Sequence, residues 1–244
     1  MAEKIFDRYS FDLIYARPKQ TLKDWEQELN QALEYTRDHL SLYQLTIERG
    51  TPFYIQHARG EFQCPEQDLA ADFYELTNEK LSAHDLPAYE VSNHAKKGEE
   101  STHNITYWRY NDYAGIGPGA HGRLTIEGKK IATRTHRAPD EWLNRVRDQG
   151  HGFHAFEPLS VTETVYELVM MGLRTYEGVS LRYLEEILKR PWQSHIPQKK
   201  LDPLIEEKLL YCDEARLYPT PKGMQRLNRV VPYLLTVPAE SVAS

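Results

Sequence analysis

The sequence predicts an α/β fold that is followed by a small, mostly helical region. Three observations predict the α/β part: an apolar run at residues 11–15, an amphipathic segment that begins at Thr21, and a second apolar run at residues 39–47. A strand, a helix and a strand joined by short loops form a βαβ unit, in which the two strands run parallel. From Ser160 onward, helical periods replace the strand-like ones.

The helix of the βαβ unit is predicted to begin after Thr21, because Asp24 stands three residues later in a capping-box pattern. Its apolar positions repeat with the helical period: Leu22, Trp25, Leu29, Ala32 and Leu33. Loops that follow parallel strands usually carry the site, which indicates residues 16–20 and 48–52. After a turn at residues 50–52 and a polar connection, a helix over residues 69–85 and a short strand at 89–92 are predicted.

The segment at residues 103–123 has the composition of a binding site. It holds four aromatic side chains, Tyr107, Trp108, Tyr110 and Tyr113, with His103 at its start, His121 near its end, and glycines at 115, 117, 119 and 122. Aromatic rings bury a large area but keep polar handles, and glycines let a backbone or a ligand approach closely. The alternative that His103 is a structural histidine and the tyrosines are core remains open at this point.

A nucleotide-binding loop is not predicted for this segment. The spacing of Gly115, Gly117 and Ala120 fits a dinucleotide fingerprint, but that motif must open a helix. Residues 124–133 predict a short hairpin instead, so we reject the match. A helix from Pro139 to Gly150 follows the hairpin.

The last third of the chain predicts a winged-helix-like domain. Its predicted elements are a helix capped by Ser160 and Glu163, a helix over 181–188, a helix from Asp202, a strand at Leu217–Tyr218, and a helix that begins after Thr220 and continues through Val231. The predicted domains are residues 1–154, residues 155–236 and a loose tail at residues 237–244.

Bulk properties exclude several classes of protein. The net charge of −6 argues against non-specific binding of nucleic acid. No run of 18 apolar residues exists, which predicts that no segment spans a membrane, and the amino-terminal residues lack the apolar core of a signal peptide. A cytoplasmic protein is therefore expected. The two cysteines, Cys64 and Cys212, have no metal-binding spacing.

Several long segments resemble one known family. FDLIYARPKQT, HLSLYQLTIERGTPFY and YEVSNHAKKGEESTHNITYWRYNDYAGIGPGAHGRL resemble the heme chaperone HemW family, which is similar to oxygen-independent coproporphyrinogen III oxidase of the radical S-adenosylmethionine class. MGLRTYEGVS and LYPTPKGMQRLN resemble the HemN-type carboxyl-terminal domain. The resemblance covers almost the whole chain. It implies a partial radical S-adenosylmethionine-type (β/α) barrel followed by the winged-helix-like domain.

The resemblance also implies elements that this sequence lacks. The family carries a [4Fe–4S] cluster on a CxxxCxxC loop after its first barrel strand, and a GGTP segment after its second. This sequence contains neither, so we expect a truncated protein or fragment that begins near the fifth strand, without iron–sulfur ligands. Lys19 stands where the family's loop commonly has glycine, which weakens a carried-over S-adenosylmethionine site further.

The site residues follow from the resemblance, position by position. The family's HNxxY motif falls on His103, Asn104 and Tyr107, where relatives are thought to bind heme. His103 is the predicted ligand of the heme iron, and His121 is the runner-up. Asp12 falls on a position that faces S-adenosylmethionine in related enzymes, although a polar residue at a strand end is the plainer interpretation.

The residue types of this segment suit heme on chemical grounds as well. Heme binding needs an imidazole for the iron, aromatic walls for the macrocycle and cations for the propionates. Arg109 or Arg123 would supply the cations. The predicted heme-binding set is His103, Asn104, Tyr107, Arg109 and His121.

The expected function is a heme-binding protein of porphyrin metabolism, which delivers heme to an acceptor protein that the sequence does not identify. One alternative is part of a coproporphyrinogen III oxidase-like enzyme that needs a partner chain for its missing half-barrel. Another is a nucleic-acid-binding module using Lys222, Arg226 and Arg229, although acidic neighbours argue against it. Whether the chain is an enzyme stays open, and no catalytic residue is assigned.

Overall fold

The computed structural model describes residues 2–235. The predicted loose tail at residues 237–244, and position 236 at the end of the predicted second domain, lie outside the described residues. The chain divides into two compact units, residues 1–101 and residues 102–244. The predicted domain boundary between residues 154 and 155 stays a prediction.

The first unit is built around the βαβ unit that the sequence predicts. Its elements are a 3₁₀ turn (Ala2–Lys4), β1 (Asp12–Tyr15), α1 (Leu22–Leu33), β2 (His39–Gln44), α2 (Pro52–Ala58), α3 (Gln67–Ala83) and β3 (Asn93–Ala95). The sheet has the order β1-β2-β3, with β1 parallel to β2 and β3 antiparallel to β2. The parallel pairing around α1 is thus confirmed.

The core of this unit lies where α1 and α3 pack on the sheet. The capping box at the start of α1 is present, since Thr21 accepts a hydrogen bond from the Asp24 backbone N–H and the Asp24 carboxylate accepts one from Thr21. Trp25 is fully buried, and its indole N–H donates to Thr77 Oγ1 of α3 at 2.8 Å. The buried side chains of the core are Tyr15, Ala16, Trp25, Leu29, Leu40, Leu42, Phe73, Leu81 and Leu86.

Two predicted features of the first unit were wrong. The polar connection predicted after residue 52 contains α2, whose start is capped by Thr51 accepting a hydrogen bond from the Tyr54 backbone N–H at 3.2 Å. None of its seven residues is buried, so it carries no apolar stripe that could have predicted it. The strand predicted at residues 89–92 lies instead at Asn93–Ala95.

The described part of the second unit contains two small sheets and most of the helices. Its elements are α4 (Thr102–Trp108), β4 (His121–Ile126), β5 (Lys129–Thr135), α5 (Pro139–Gln149), β6 (Phe153–Pro158), α6 (Val161–Gly172), β7 (Val179–Ser180), α7 (Leu181–Leu188), a 3₁₀ turn (Trp192–Ser194), α8 (Gln198–Glu206), β8 (Leu210–Cys212), β9 (Arg216–Pro219), α9 (Pro221–Met224) and α10 (Leu227–Leu234).

The first sheet of this unit carries the candidate site. It has the antiparallel order β4-β5-β6, and the predicted hairpin forms β4 and β5. Glu127 and Gly128 make the tight turn between them with φ of 50° and 74°. Sequence analysis missed β6, which pairs with β5 from outside the hairpin.

The remaining helices surround the second sheet, of order β7-β9-β8. The predicted ends of α5 at Gly150 (φ 76°) and the capping box of α6 at Ser160 are confirmed. The helix predicted to begin at Asp202 begins earlier, at Gln198, and ends at Glu206. The helix predicted from Thr220 through Val231 is two helices, because the chain leaves the helical path around Arg226.

The fold class predicted from the sequence is confirmed. The described residues form a mixed α/β structure with a helix-rich carboxyl-terminal region around a short antiparallel sheet. Their strands form three sheets of three strands each, and no closed barrel is present among them.

Candidate functional site

His103 lies in the first turn of α4, a helix that sequence analysis did not predict. Its side chain is exposed. The ring meets the Tyr107 ring, one turn later, edge to face, with 5.5 Å between centroids. Within the described residues His103 makes no hydrogen bond or ion pair. Its imidazole nitrogens are therefore open to an external ligand.

Tyr107 continues the contact from His103 toward the first sheet. Its ring lies 6.4 Å from the Tyr113 ring. Tyr113 pairs with Arg123 of β4 through two backbone hydrogen bonds of 2.8 and 2.9 Å. We call His103, Tyr107 and Tyr113 the aromatic row. Asn104 is partly buried, and both it and Tyr107 take part in further interactions.

Two aromatic side chains of the segment belong to the interior. Tyr110 is 2% exposed, and its hydroxyl donates to the Glu167 carboxylate of α6 at 2.7 Å. Burial raises the pKa of Tyr110 well above its ordinary value, and the charge of Glu167 adds to the effect. Trp108 has a buried indole N–H, and the Arg174 guanidinium lies 5.4 Å from its ring centre. Tyr110 is therefore a core residue, as the alternative interpretation of this segment predicted.

Both cations that the sequence offered for propionates have carboxylate partners. Arg123 binds Glu167 with two hydrogen bonds, of 2.8 Å from Nε and 2.6 Å from Nη2. The hydrogen bond to Glu167 raises the pKa of Arg123 above its ordinary value. Arg109 Nε lies 2.8 Å from Glu177, which also binds Arg216 at 2.9 Å. The role of Arg109 in heme binding stays a prediction.

His121 begins β4 with an exposed side chain, directly opposite Arg134 of β5. Partial burial lowers the pKa of His121, and the positive charges of Arg134 and other neighbours lower it further. The neutral ring, the form that binds metals, is favoured by these surroundings.

The glycines of the segment have structural roles. A Cβ on Gly115 would overlap the carbonyl oxygen of His121, and one on Gly122 would lie 2.8 Å from the Gly115 nitrogen. At Gly115 and Gly122 it is another backbone segment that approaches closely, so no space for a ligand is left there. Gly117 and Gly119 have φ of 102° and 71°, which suits the turn that leads back into β4. No helix follows the glycines, in agreement with the rejected nucleotide motif.

Sequence analysis passed over Arg134 and Arg137, which lie beside His121. Both act on the pKa of His121 through their charge, together with His154 of β6. The run Arg134-Thr-His-Arg137, at the end of a predicted strand, was the available signal. A strand end that carries two arginines close together is a candidate anion site.

Asp12 lies in the first unit, whereas the predicted heme-binding residues lie in the second. It is the first residue of β1 and is exposed. Sites in parallel sheets usually form at the opposite, carboxyl end of the strands. A contact of Asp12 with S-adenosylmethionine stays a prediction.

The residues present do not fit an iron–sulfur cluster. Such a cluster is held by several cysteine thiolates at once. Cys64 lies between α2 and α3 of the first unit, and Cys212 lies in β8 of the second. No group of three or more histidine, cysteine or acidic side chains suited to a metal ion occurs among residues 2–235. Within these residues, likewise, no helix has the length and apolarity needed to cross a membrane.

The fold defines a class of protein. The chain resembles the structure of the coproporphyrinogen III oxidase HemN from Escherichia coli, described as a radical SAM enzyme, with a TM-score of 0.73 and 19% identity. The match covers 96% of this chain and 56% of HemN. At this identity the likeness shows the fold alone, which is that of the matched part of HemN.

Sequence comparisons narrow the class. The family described as the HemN C-terminal domain matches residues 159–226. Radical S-adenosyl methionine domain-containing protein 1, mitochondrial, of Mus musculus is 38% identical over 93% of this chain and 53% of its own length. The heme chaperone HemW of Bacillus subtilis is 34% identical over 92% of this chain and 58% of its own length. HemW of Lactococcus lactis, at 35% identity, is similar over the same shares.

By these matches the chain is similar to heme chaperone HemW proteins and to radical S-adenosyl methionine domain-containing proteins, as its segments indicated. The chain spans a little over half the length of the curated relatives that it matches.

Proposed function

We propose that this chain is a HemW-like heme chaperone that binds heme through the imidazole of His103. The observation that carries the proposal is the state of His103, which is exposed and makes no hydrogen bond or ion pair within the described residues. A structural histidine is usually held by hydrogen bonds to its ring nitrogens. The names of the relatives called heme chaperone HemW support heme as the ligand.

The surroundings of His103 support the same ligand. Tyr107 packs edge-on against the imidazole and limits the directions in which the ring can point. The aromatic row then offers ring surface for a flat macrocycle, since heme sites combine apolar walls with a few polar groups. His103 would hold the iron of heme through its neutral imidazole, and heme would supply the metal for this bond.

Delivery to an acceptor protein and a cytoplasmic location belong to the same proposal. The word chaperone in the relatives' names supports delivery. Other relatives are named mitochondrial, so the location follows the host cell and is tested by fractionation. Binding of S-adenosylmethionine, which the name of the class suggests, would need more than Asp12.

Titration of hemin into the purified chain tests the proposal. We expect a Soret band that saturates at one heme per chain. Replacing His103 by Ala should weaken binding by about tenfold or more and shift the band, because one iron ligand is lost. Alanine favours the helix, so α4 should persist, as checked by circular dichroism. Replacing His121 should weaken binding less than replacing His103.

A matched control is available in the first unit. His57 is an exposed histidine in α2, and its ring lies 5.6 Å from that of Phe62, so like His103 it is an exposed helical histidine beside an aromatic ring. His57→Ala should leave the Soret band and the affinity unchanged. A folded His103→Ala protein that binds heme as the wild type does would exclude His103 as the ligand.

A further inference from the structure

Four basic side chains meet at one end of the β4–β6 sheet. His121 and Arg134 are directly opposite in the register of β4 and β5, so their side chains share one face. The stem of Arg137 packs on the glycine turn, since a Cβ on Gly119 would lie 3.5 Å from Arg137 Cγ. His154 lies where β6 is irregular, and its charge reaches His121. We call His121, Arg134, Arg137 and His154 the basic cluster.

Among the described residues, no ion pair compensates the two arginines of the basic cluster. Within the described residues neither Arg134 nor Arg137 has a hydrogen bond or an ion pair with an acidic side chain. The acidic residues nearest in sequence, Asp140 and Glu141, make no ion pair with Arg137, and Glu141 binds Arg145 at 2.6 Å. Arg109 and Arg123, by contrast, each form an ion pair with a glutamate.

Uncompensated like charges repel each other, so their close placement lowers stability unless an anion joins them. Arg134 is fixed by the strand ladder of β5, and the stem of Arg137 rests on the glycine turn. Each of the two guanidinium groups offers paired N–H donors, a geometry that suits a carboxylate.

We propose that Arg134 and Arg137 of the basic cluster bind the propionate carboxylates of heme. The inference rests on the proposed function, since it names the groups that hold the anionic edge of the same ligand. It assigns the cations of the site to Arg134 and Arg137, which form no ion pair among the described residues. Arg109 and Arg123, the cations expected from the sequence, already bind carboxylates.

The aromatic row connects the two ends of this site. Tyr113, its last member, pairs with Arg123 of β4, and His121 lies two residues before Arg123 on the same strand face. The contacts thus lead from His103 through the rings of Tyr107 and Tyr113 to β4, the strand that carries His121 of the basic cluster.

Two forms of the ligand test the proposal. Hemin has two free propionates, and hemin dimethyl ester has both of them esterified. The variant with Arg134→Gln and Arg137→Gln should bind hemin about tenfold more weakly than the wild type does. It should bind the dimethyl ester as the wild type does, because the ester has no carboxylate to lose.

A charge-matched control separates this effect from net charge. Arg190→Gln with Arg229→Gln removes two positive charges from exposed positions of the same unit, and hemin binding should not change. Unchanged hemin affinity in the Arg134→Gln and Arg137→Gln variant, or an equal loss for the ester, would overturn the inference and leave the proposed function standing. A wild-type chain that binds neither form would contradict the proposed function itself.

Discussion

The imidazole of His94 is buried, whereas that of His103 is exposed. It lies in β3, is 1% exposed, and has no hydrogen-bond partner for either ring nitrogen within the described residues. Burial lowers the pKa of His94 to about 3, and the charge of His39 contributes to the shift. The ring is thus held neutral inside the first unit.

This burial predicts a loss of stability in acid. The unfolded chain binds a proton at His94 near pH 6.5, whereas the folded chain does so only near pH 3, so protonation favours unfolding between these values. Through this group alone, the free energy of unfolding should fall by about 2–3 kcal/mol between pH 7 and pH 4.5. Urea unfolding at both pH values measures it.

The variant His94→Leu provides the comparison, because it keeps an apolar volume and cannot titrate. Its loss of stability between pH 7 and pH 4.5 should be smaller than that of the wild type, while other groups contribute equally to both. Equal losses would show that His94 does not titrate as its burial implies.

Sequence patterns identified the residues of the site by type and missed their partners. HNxxY marked His103, Asn104 and Tyr107 through a family resemblance. Nothing local in the sequence predicts that Glu167, forty-four residues after Arg123, occupies that arginine. The pairing depends on how α6 packs, and for the same reason the unpaired state of Arg134 could not be predicted.

At the scale of elements, the segment that carries Tyr113 is held against β4 by a close backbone contact at Gly115. A Cβ at this position would overlap the carbonyl of His121 and lie 3.0 Å from the His121 nitrogen. Because backbone atoms cannot move aside cheaply, Gly115→Ala should destabilise the second unit by about 1–3 kcal/mol. It should also weaken heme binding, since Tyr113 and His121 would shift.

Thermal unfolding and hemin titration of Gly115→Ala measure both effects. Gly128→Ala is a control: Gly128 has φ of 74°, and a Cβ there would meet nothing within 4 Å. It should cost stability through its positive φ and leave heme affinity unchanged. Full stability of Gly115→Ala would contradict the close contact.

Elements with strong local signals were predicted well. The capping boxes at Thr21 and Ser160 and the hairpin at residues 124–133 depend on neighbouring residues, and all three are present. The elements that were missed have weak local signals. Both α2 and α4 are seven-residue helices without buried residues, and β6 is defined by its pairing with β5.

Proline misled the prediction of α8. Asp202-Pro203 has the appearance of a helix start, because proline suits the first turn. In the structure Pro203 lies inside the helix, which begins five residues earlier at Gln198. Leu201 and Leu204 are buried, so their packing holds the helix across the proline.

For the molecule as a whole, the distribution of thiols predicts how it responds to iron. Cys64 and Cys212 lie in separate compact units, and neither belongs to a group suited to a metal ion among the described residues. Anaerobic reconstitution with iron and sulfide should therefore leave this chain without a [4Fe–4S] cluster and without cleavage of S-adenosylmethionine.

Iron and sulfide assays, with analysis for 5′-deoxyadenosine, check this expectation. The double variant Cys64→Ser and Cys212→Ser should bind the same background amount of iron as the wild type. Stoichiometric iron and sulfide in the wild type, lost in the double variant, would contradict it. Such a result would favour the oxidase-like interpretation over that of a heme chaperone.

The central claim is that heme iron is bound by the imidazole of His103, and rescue by free imidazole tests it most directly. The variant His103→Gly leaves a space where the ring stood, beside Tyr107. Hemin bound to this variant should show a shifted Soret band, and added imidazole should restore the wild-type spectrum, whereas the wild type and His57→Ala should not respond to the same addition. A His103→Gly protein whose spectrum matches the wild type before imidazole is added would contradict the claim.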